Sequence, residues 1–481
     1  MRKRSFVKAA GAAAGVVALV AGGSALHGAP RLQPCANSEF TASIGSAAKQ
    51  LDPDRLTIVL AGDTGFNAKG AKVQPEGFRK DRQILGFADS LSGVAPDVNG
   101  DLAFLNLETV VTDRNDLVPD SKGQKAPYNF QSHPLGLKAL IDTGFNMFSL
   151  ANNHSMDYGA NGAQETLYHM AVAAAERAIT YAGIGTTLEE ATRPGCLKLG
   201  KTRVAFAATG IVTGQREEHR AGKDKTGQAS YRDPADYQLV VNRLAGMPAD
   251  YRILSIHYGL EGRVVPDQRQ LKDWRGFASS EKGIDLIVGH HPHVAQGVEF
   301  NGASLIFYGL GNFLHPGTAE MSRFGICRDY GLMAKVHLAR IQGYWRAAAI
   351  EAIPVTKTNM HPERFAPEQG VRRIYALNYL GAQLGDGKAR KACASPRART
   401  APGSIALKVL ICSAARLGRC APGGSRRRRS RQSSAASSRP PARTSPSMAP
   451  PRRSASRQAF SASARTDERL EVSRAARRRW L

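Results

Sequence analysis

Potential metal ligands follow short apolar segments at five separate places in the chain. The segment at 145–150 is followed by Asn152, Asn153 and His154, and the other four are followed by Asp63, by Glu108, by His257, and by His291 with His293. Carboxylate, amide and imidazole groups together form a mixed oxygen and nitrogen ligand set that suits Zn²⁺, Mn²⁺ or iron. The sequence therefore predicts a centre for one or two divalent transition metal ions.

Each of these residues also has an ordinary structural explanation. Asp63 is typical of a turn, Glu108 of a solvated strand end, and His257 of a hydrogen-bonded core histidine. The stretch 289–293 is harder to explain in this way, because it places three imidazoles within four residues. The joint pattern favours metal binding over coincidence.

Apolar runs alternate with helical patterns through most of the chain. Strands are predicted at 56–61, 102–105, 145–150, 202–208, 252–256 and 284–288, and helices near 78–91 and at 134–143, 163–181, 233–244 and 267–280. This alternation predicts a layered α/β fold, in which the carboxyl ends of the strands form the ligand-binding edge. Strands at 304–310, 332–339 and 345–353 then follow one another, which predicts antiparallel pairing from 298 to 355, and a last helix is expected at 367–384.

The N-terminus has the plan of an export signal. Residues 2–8 include four basic side chains, and residues 9–21 contain only Ala, Gly, Val and Leu. The order of these residues resembles a twin-arginine signal, so we interpret residues 1–29 as a signal peptide and 30–54 as a linker. An uncleaved N-terminal anchor is the alternative, although the apolar run is short for a spanning helix. Both interpretations place the folded domain, 55–386, outside the cytoplasm as a secreted, periplasmic or cell-surface protein.

The positive charge of the chain is concentrated at its C-terminus. Residues 388–481 contain 24 Lys and Arg against 3 Asp and Glu, whereas the first 387 residues contain 42 basic and 37 acidic residues. This distribution argues against nucleic-acid binding by the folded domain. From 387 to 481 the chain is rich in Arg, Ser, Ala and Pro without apolar periodicity, which predicts a disordered tail. Three explanations of this tail stay open. It could attach electrostatically to an anionic wall polymer, to lipid or to nucleic acid; it could have no function; or it could be the frameshifted or misannotated end of a GC-rich gene.

The six cysteines show no Cys-x-x-Cys pair, which argues against a zinc ribbon. In an exported protein, Cys196 and Cys327 could form a disulfide bond with each other. Isolated buried thiols are the alternative.

Six short motifs in a fixed order resemble one protein family. They are Gly62-Asp63, Asn106-Leu107-Glu108, ANNHSMDYG at 151–159, HYGLE at 257–261, GHHPHV at 289–294 and YGLGNF at 308–313. Together they resemble the bacterial capsule-synthesis family CapA, also called the poly-γ-glutamate biosynthesis (PgsA-like) family, over residues 57–355. That family is similar to the calcineurin-like metallophosphoesterases. The resemblance implies a four-layer α/β/β/α sandwich with its site at the carboxyl ends of the strands.

The resemblance also implies a role for each matching residue. Asp63 matches an aspartate that is shared by two metals, and Glu108 matches a carboxylate that bridges them. Asn153 matches the amide ligand, and His257 matches a ligand of the second metal. His291 and His293 match the closing pair of ligands, one for each metal. Two positions depart from the phosphoesterase pattern: Gly65 stands where the Asp-x-His motif has an imidazole, and Glu108 replaces a shorter aspartate. We therefore expect one tight and one weak metal. His290 could substitute, but its side chain is expected to point away from its neighbours along the strand.

The same resemblance implies a hydrolytic mechanism. Two metal ions would polarise a phosphoryl group and lower the pKa of a bridging water, with His154 as the general acid. Asp157 would orient His154, although a helix-cap role is an equal alternative. Glu261 and Asn152 are candidate substrate-binding residues, and a surface ion pair with Arg263 is the alternative for Glu261.

Two functional hypotheses follow for an exported, CapA-like protein. The first is a metal-dependent hydrolase of a phosphoester or of a polymer amide bond, acting on an envelope polymer or its precursor. The second is a non-catalytic accessory subunit of a membrane polymer synthase or exporter, with a structural or vestigial metal site. The missing imidazole at Gly65 is the feature that favours the second hypothesis over the first.

Overall fold

The computed structural model describes residue 52 and residues 54–384, except for residue 81, residues 212–216, residues 279–282, residue 320 and residues 322–323. The predicted signal peptide, almost all of the predicted linker and the predicted disordered tail lie outside the described residues. Their boundaries stay predictions.

Two β-sheets form the centre of the described part of the chain. In spatial order, the first sheet consists of β20 (Glu363–Arg364), β19 (Tyr344–Thr356), β18 (Gly331–Ile341), β1 (Arg55–Thr64), β4 (Leu102–Leu107), β7 (Met147–Ser149) and β8 (Thr180–Ala182), and β17 (Asn312–Leu314) pairs with the end of β1. The second consists of β10 (Gly195–Leu199), β11 (Thr202–Gly210), β13 (Tyr251–His257), β14 (Leu286–His290), β16 (Ser304–Phe307) and β15 (Val298–Asn301).

The remaining elements are short strand pairs and helices. The strand pairs are β2 (Phe78–Lys80) with β3 (Gln83–Leu85), β5 (Val110–Val111) with β6 (Gln131–Ser132), and β9 (Ile184–Gly185) with β12 (Gly227–Gln228). The helices are α1 (Phe87–Leu91), α2 (Pro134–Thr143), α3 (Gly159–Glu176), α4 (Leu188–Ala191), α5 (Pro234–Gly246), α6 (Gln268–Phe277) and α7 (Pro367–Ala382), with 3₁₀ turns at Ala95–Asp97 and Glu217–His219. None of the helices in the described ranges has both the length and the apolar character that crossing a bilayer requires.

Three apolar cores separate four layers. Alternate residues of a strand face opposite sides of its sheet, so in β1 Val59 contributes to a core shared with helices α2 and α3, whereas Ile58 packs between the two sheets. Phe104 of the first sheet meets Phe206 of the second there, with ring centroids 5.6 Å apart. A third core joins the outer face of the second sheet to α5 and α6, with Trp274 of α6 fully buried. The four-layer α/β/β/α sandwich predicted from the sequence is confirmed.

Parallel pairing brings the carboxyl ends of the central strands to one edge. In the first sheet, Asp63 of β1 is in register with Asn106 of β4, which is in register with Ser149 of β7. In the second sheet, His257 of β13 is in register with His290 of β14. Because each of these residues lies at or near the last position of its strand, the side chains that follow emerge together.

The prediction of a helix near 78–91 is wrong. Antiparallel β2 and β3 occupy its first half, and only α1 is helical. Phe78 and Phe87 both pack on Phe66, with ring centroids 5.6 Å and 5.1 Å away. The tight hairpin needs Gly77, where a Cβ would lie 2.0 Å from the carbonyl oxygen of Leu85. Packing of three aromatic rings therefore outweighs the local helical pattern.

The later half of the chain is antiparallel only in part. β18 and β19 pair antiparallel along their full length, as predicted. β16, however, runs parallel to β14, and β17 runs parallel to β1. The prediction of an all-antiparallel half is wrong because a run of consecutive strands does not specify which neighbour each strand joins. The pairing of β17 matters for the site, since it brings residues 312–315 beside the end of β1.

Other boundaries moved by a few residues. The helix predicted at 163–181 is α3 at Gly159–Glu176, because Thr180–Ala182 pairs with β7 as strand β8. The helix predicted at 134–143 agrees with α2, which Gly144 ends with φ 123°. Both cysteines in the described part of the chain, Cys196 and Cys327, are disulfide-bonded. The alternative of isolated thiols is therefore wrong.

Candidate metal centre

Asp63 lies at the middle of a buried polar cluster. Its Oδ1 accepts a hydrogen bond of 2.9 Å from the Asn106 amide and lies 3.4 Å from Nδ1 of His290. Its Oδ2 lies 3.1 Å from Nδ1 of His293. Burial alone would raise the pKa of Asp63, but the close approach of the His290 and His293 imidazoles brings that pKa well below its ordinary value. Asp63 is therefore an anion fixed in place by two strands and one loop.

A second group of ligand types surrounds His257. Nε2 of His257 lies 2.6 Å from the amide oxygen of Asn153, 3.1 Å from Nδ1 of His291 and 3.4 Å from Oε1 of Glu108. His257 is fully buried, and this burial, followed by the close approach of the His291 imidazole, holds the pKa of His257 well below its ordinary value. Burial and the neighbouring His293 likewise lower the pKa of His291 to about 4. Neutral imidazoles are the form that binds metals.

Glu108 joins the two groups. One set of potential ligand atoms comes from Asp63, Glu108 and His293, and the other from Glu108, His257 and His291. The resemblance implies that Asp63 and Glu108 are both shared by two metals, whereas in the geometry Glu108 belongs to both groups and Asp63 to the first alone. Burial and the nearby charge of Asp63 raise the pKa of Glu108 well above its ordinary value. A cation between the groups would remove this electrostatic penalty.

The donor set fits divalent metal ions. Both carboxylate oxygens of Glu108 are buried and lack a hydrogen-bond partner among the described residues, as do both ring nitrogens of His290. Buried polar atoms are rarely left in this state unless an ion or water satisfies them. Metal bonds of about 2.1 Å place neighbouring donor atoms roughly 3–4 Å apart. The separations of 3.1 Å and 3.4 Å between donors in the two groups agree with this spacing.

The carboxylates of the cluster raise the pKa of His293. Burial would lower its pKa, but Glu108 and the hydrogen bond to Asp63 raise it to about 10. The amide oxygen of Asn312 lies 2.8 Å from its Nδ1. Its side chain is 19% exposed, which makes it the most accessible member of the two groups. A proton held this tightly marks a place where a metal cation would also be favoured.

The loop after β14 turns sharply to present its imidazoles. His291 has φ 92° and His293 has φ 57°, a left-handed conformation that non-glycine residues seldom adopt and that recurs at functional sites. His290, still within the strand, faces Asp63 beside His257, with which its ring is nearly parallel at 6.5 Å. The expectation that His290 points away from the site is wrong. Strand register decides this, because His290 pairs with His257 on the neighbouring strand.

His154 lies beside Glu108, and Asp157 and Lys122 contact the opposite side of its ring. Its Nε2 lies 4.0 Å from Oε1 of Glu108, and its Nδ1 lies 2.8 Å from Oδ2 of Asp157. Lys122 forms a buried ion pair with Asp157, and its Nζ also lies 3.3 Å from Nδ1 of His154. Burial and then the charge of Lys122 hold the pKa of His154 well below its ordinary value. Burial raises the pKa of Asp157 to about 7, although Lys122 opposes the shift.

The two candidate substrate-binding residues have different surroundings. Asn152 is fully buried: its amide nitrogen donates to the carbonyl of Leu107, and its amide oxygen accepts from the backbone of His154. Glu261 is exposed and forms no ion pair with Arg263 in the described structure. After burial and nearer charges, Glu261 also contributes to the raised pKa of Glu108. The substrate contacts of both residues stay predictions, as do the individual roles of the metal ligands, His154 and Asp157.

The sequence argument did not select five residues that the structure brings to the cluster: Asn106, Lys122, His290 as a contact of Asp63, Asn312 and His315. Asn106 and Asn312 lie within the quoted motifs. His315 follows the apolar strand β17 in the same way that the chosen ligands follow theirs, so that signal was available. Lys122 carries no such signal, because it lies in an irregular loop.

A third cluster lies apart from the centre. Asp113, Glu165 and His169 also place ligand-type atoms close together, but Asp113 is exposed and the other two are half-buried. Surface carboxylates commonly gather in this way without a metal. We assign it no function.

Comparison with known proteins gives a family match and several relatives. Residues 57–316, more than half of the chain, match the model of the family described as bacterial capsule synthesis protein PGA_cap. A PGA biosynthesis protein CapA of Bacillus subtilis is 32% identical over 189 residues, which cover 39% of this chain and 47% of that protein. A probable polyglutamine synthesis accessory protein of Mycobacterium tuberculosis is 26% identical over 305 residues, covering 54% of this chain and 74% of that protein.

Similarity to solved structures is weaker. The calcineurin-like phosphoesterase YfkN of Bacillus subtilis matches 68% of this chain and 97% of that chain, with 14% identity and a TM-score of 0.38. The fold assignment therefore rests on the four layers themselves. The chain spans about half the length of the Bacillus CapA relative. The family match, which includes every candidate ligand described above, shows that the chain belongs to the bacterial capsule synthesis protein family PGA_cap.

Proposed function

We propose that this chain is an exported metal-dependent hydrolase that acts in the biosynthesis of a capsule or poly-γ-glutamate-type polymer. Its substrate would be a phosphoester or an amide bond of the polymer or its precursor. The observation that carries the proposal is the position of Glu108, whose two unpartnered oxygens lie between two sets of imidazole and carboxylate ligands. A purely structural role does not explain a buried carboxylate left without hydrogen bonds.

Different residues of the chain would bind the metal ions and transfer the proton. Asp63, Glu108 and His293 would hold one ion, and His257, His291 and Asn153 would complete the second site with Glu108. Bound divalent ions supply Lewis acidity and a water of lowered pKa. His154 has Nδ1 engaged by Asp157, so its Nε2, which faces Glu108, is the atom free to exchange a proton with substrate. Because burial and Lys122 lower its pKa, His154 would be neutral before the reaction, and its Nε2 would be available as a proton acceptor.

A non-catalytic role remains the second candidate. Gly65 lacks the imidazole of the phosphoesterase motif, and one relative is described as an accessory protein of polyglutamine synthesis. In that case the metal would order the edge of the sheet and the chain would serve a membrane synthase or exporter. Retained metal binding without turnover on any phosphodiester or γ-glutamyl substrate would favour this role.

The test is metal content followed by turnover. We expect the purified full-length chain to carry transition metal by elemental analysis and to hydrolyse bis-p-nitrophenyl phosphate or poly-γ-glutamate in a metal-dependent way. His291→Ala with His293→Ala should abolish both, because the pair contributes to both ligand groups. His169→Ala, in the surface cluster, is the matched control and should change neither. Full turnover by the double variant would show that the chemistry lies elsewhere.

We also propose that the chain acts outside the cytoplasm. The N-terminal signal pattern supports export. The disulfide bonding of Cys196 and that of Cys327 also support it, since stable disulfides form mainly in oxidising compartments. The partners in that compartment would be the envelope polymer or its precursor and a membrane-bound synthase or exporter.

A further inference from the structure

One buried histidine at the edge of the metal centre has no assigned role. His315 is 3% exposed and follows β17, three residues after Asn312. Neither of its ring nitrogens has a hydrogen-bond partner in the described part of the chain. Its Nε2 lies 3.8 Å from Oε2 of Glu108, on the opposite carboxylate oxygen from the one that faces His257. An imidazole buried in this state loses its hydrogen bonds to water without replacing them, which is unfavourable unless another group binds the ring nitrogens.

Strand pairing places His315 beside the position of the missing motif imidazole. β17 runs parallel to β1, with Asp63 opposite Asn312 and Thr64 opposite Leu314. The amide of Gly65 then donates a 2.8 Å hydrogen bond to the carbonyl of Leu314, so His315 follows directly alongside Gly65. Two neighbouring parallel strands can present a side chain to the same edge. An imidazole lost from the first strand can therefore be supplied by the second.

The backbone and the neighbouring rings fix His315 in this position. Its amide donates to the carbonyl of Thr358 at 2.6 Å, and its carbonyl accepts from both the amide and the hydroxyl of Thr318. Its ring packs edge-on against Phe130 at 5.0 Å and lies 5.3 Å from the ring of His293. Gly317 makes room for this packing, since a Cβ there would lie 2.5 Å from the Phe130 ring. The side chain is held next to the ligand group of Asp63, Glu108 and His293.

We propose that His315 supplies the imidazole that Gly65 cannot, as a ligand of the divalent metal held by Asp63, Glu108 and His293. The inference rests on the metal centre of the proposed function. A separation of 3.8 Å between Glu108 Oε2 and His315 Nε2 falls within the roughly 3–4 Å expected of two donors on one ion. With His315 the first group gains a fourth ligand, and the departure at Gly65 no longer argues for a weak or vestigial site.

The test compares metal binding by full-length variants. Co²⁺ titration of the chelator-treated protein, followed by its visible absorption, measures stoichiometry, affinity and coordination without any substrate. We expect the wild type to bind two ions and His315→Gln to lose one ion or bind it at least tenfold more weakly. His291→Gln should weaken the other ion, and His169→Gln should match the wild type. Unchanged stoichiometry, affinity and spectrum in His315→Gln, beside a weakened His291→Gln, would overturn the inference and leave the proposed function standing.

Two further measurements distinguish failure of the His315 inference from failure of the proposed metal centre. A wild type that binds no Co²⁺ would instead remove the metal centre of the proposed function and the inference with it. If His315→Gln does not fold, as judged by circular dichroism, the crystal structure of the Zn²⁺-loaded wild type decides. Zn²⁺ at about 2.1 Å from Nε2 of His315 supports the inference. Zn²⁺ held by Asp63, Glu108 and His293 with His315 outside bonding distance overturns it.

Discussion

At the scale of single residues, the buried ion pair behind His154 is the least expected feature. Lys122 is 6% exposed, although lysine seldom lies inside a protein, and it adopts φ 50°. Its ammonium group pairs with Asp157 and donates to the carbonyl of Tyr128 at 2.8 Å. Asp157 in turn accepts a 2.6 Å hydrogen bond from the backbone of Phe130 and contacts His154. The pair thus ties the loop at 120–130 to the proposed proton-transfer residue.

Lys122→Met tests how far this pair holds the site together. Removing one partner leaves Asp157 buried and uncompensated, and such changes cost about 3–5 kcal/mol. We expect a corresponding loss in the free energy of unfolding measured by urea denaturation. Adding Asp157→Asn should recover part of the loss, because the uncompensated charge disappears.

The control is an ion pair of the same chemistry at the surface. Lys138 and Asp142 form an i,i+4 pair in α2 with side chains 62% and 41% exposed. Lys138→Met should cost less than about 1 kcal/mol. Equal effects of Lys122→Met and Lys138→Met would mean that burial gives the Lys122 pair no special importance.

At the scale of elements, the contact between β1 and the segment before β17 controls the geometry of the site. The amide of Asp63 donates to the carbonyl of Gly311 at 3.0 Å. A Cβ on Gly62 would lie 1.8 Å from that same oxygen. Gly62 is therefore required for the close approach that sets Asp63 and Asn312 side by side.

Gly62→Ala should separate the two strands. The clash involves backbone on both sides, so we expect a loss of about 3 kcal/mol or more in stability, at the upper end for overpacked sites, together with reduced metal content. Gly276→Ala in α6 is the matched control, because a Cβ there meets nothing within 4 Å. It should leave stability unchanged or raise it by up to about 1 kcal/mol, since alanine favours helix. A Gly62→Ala protein with wild-type melting temperature and metal content would contradict the assigned role of this contact.

At the scale of the whole molecule, the apolar cores end in the sequence before the excess of positive charge begins. α7 ends at Ala382, and its Leu377 joins the core between the two sheets. The charge excess begins a few residues later, since the chain to residue 387 has 42 basic and 37 acidic residues. The described cores that support the candidate metal centre therefore end before the basic segment begins in the sequence.

Deletion of residues 388–481 should leave the body intact. We expect a change of at most a few degrees in the melting temperature measured by calorimetry, with metal content retained, because the three cores lie within residues 56–384. The deletion should also lower the salt concentration needed to elute the protein from a cation exchanger. A fall of many degrees would show that the tail packs on the body.

Local sequence patterns were sufficient for the parts of this protein that depend on neighbours in the chain. The helical pattern with Gly144 at its end predicted α2, and short apolar runs predicted the strands β1 and β13. Polar residues after apolar runs identified Asp63, Glu108, His257 and His293 as candidates that the fold brings together. These signals work because backbone hydrogen bonding and burial of one face act over a few residues.

The amino-acid sequence by itself determined the layered α/β class, the chemical types of the ligands and the edge at which they gather. Only the tertiary structure decided that Asp63 belongs to one of the two groups and not to both, that His290 faces Asp63, that Lys122 is buried behind His154, and that β17 brings His315 beside Gly65. Each of these depends on which strand or loop lies next to which. The packing of residues that are distant in the chain determines which strands and loops become neighbours. Local periodicity in the sequence carries no information about it.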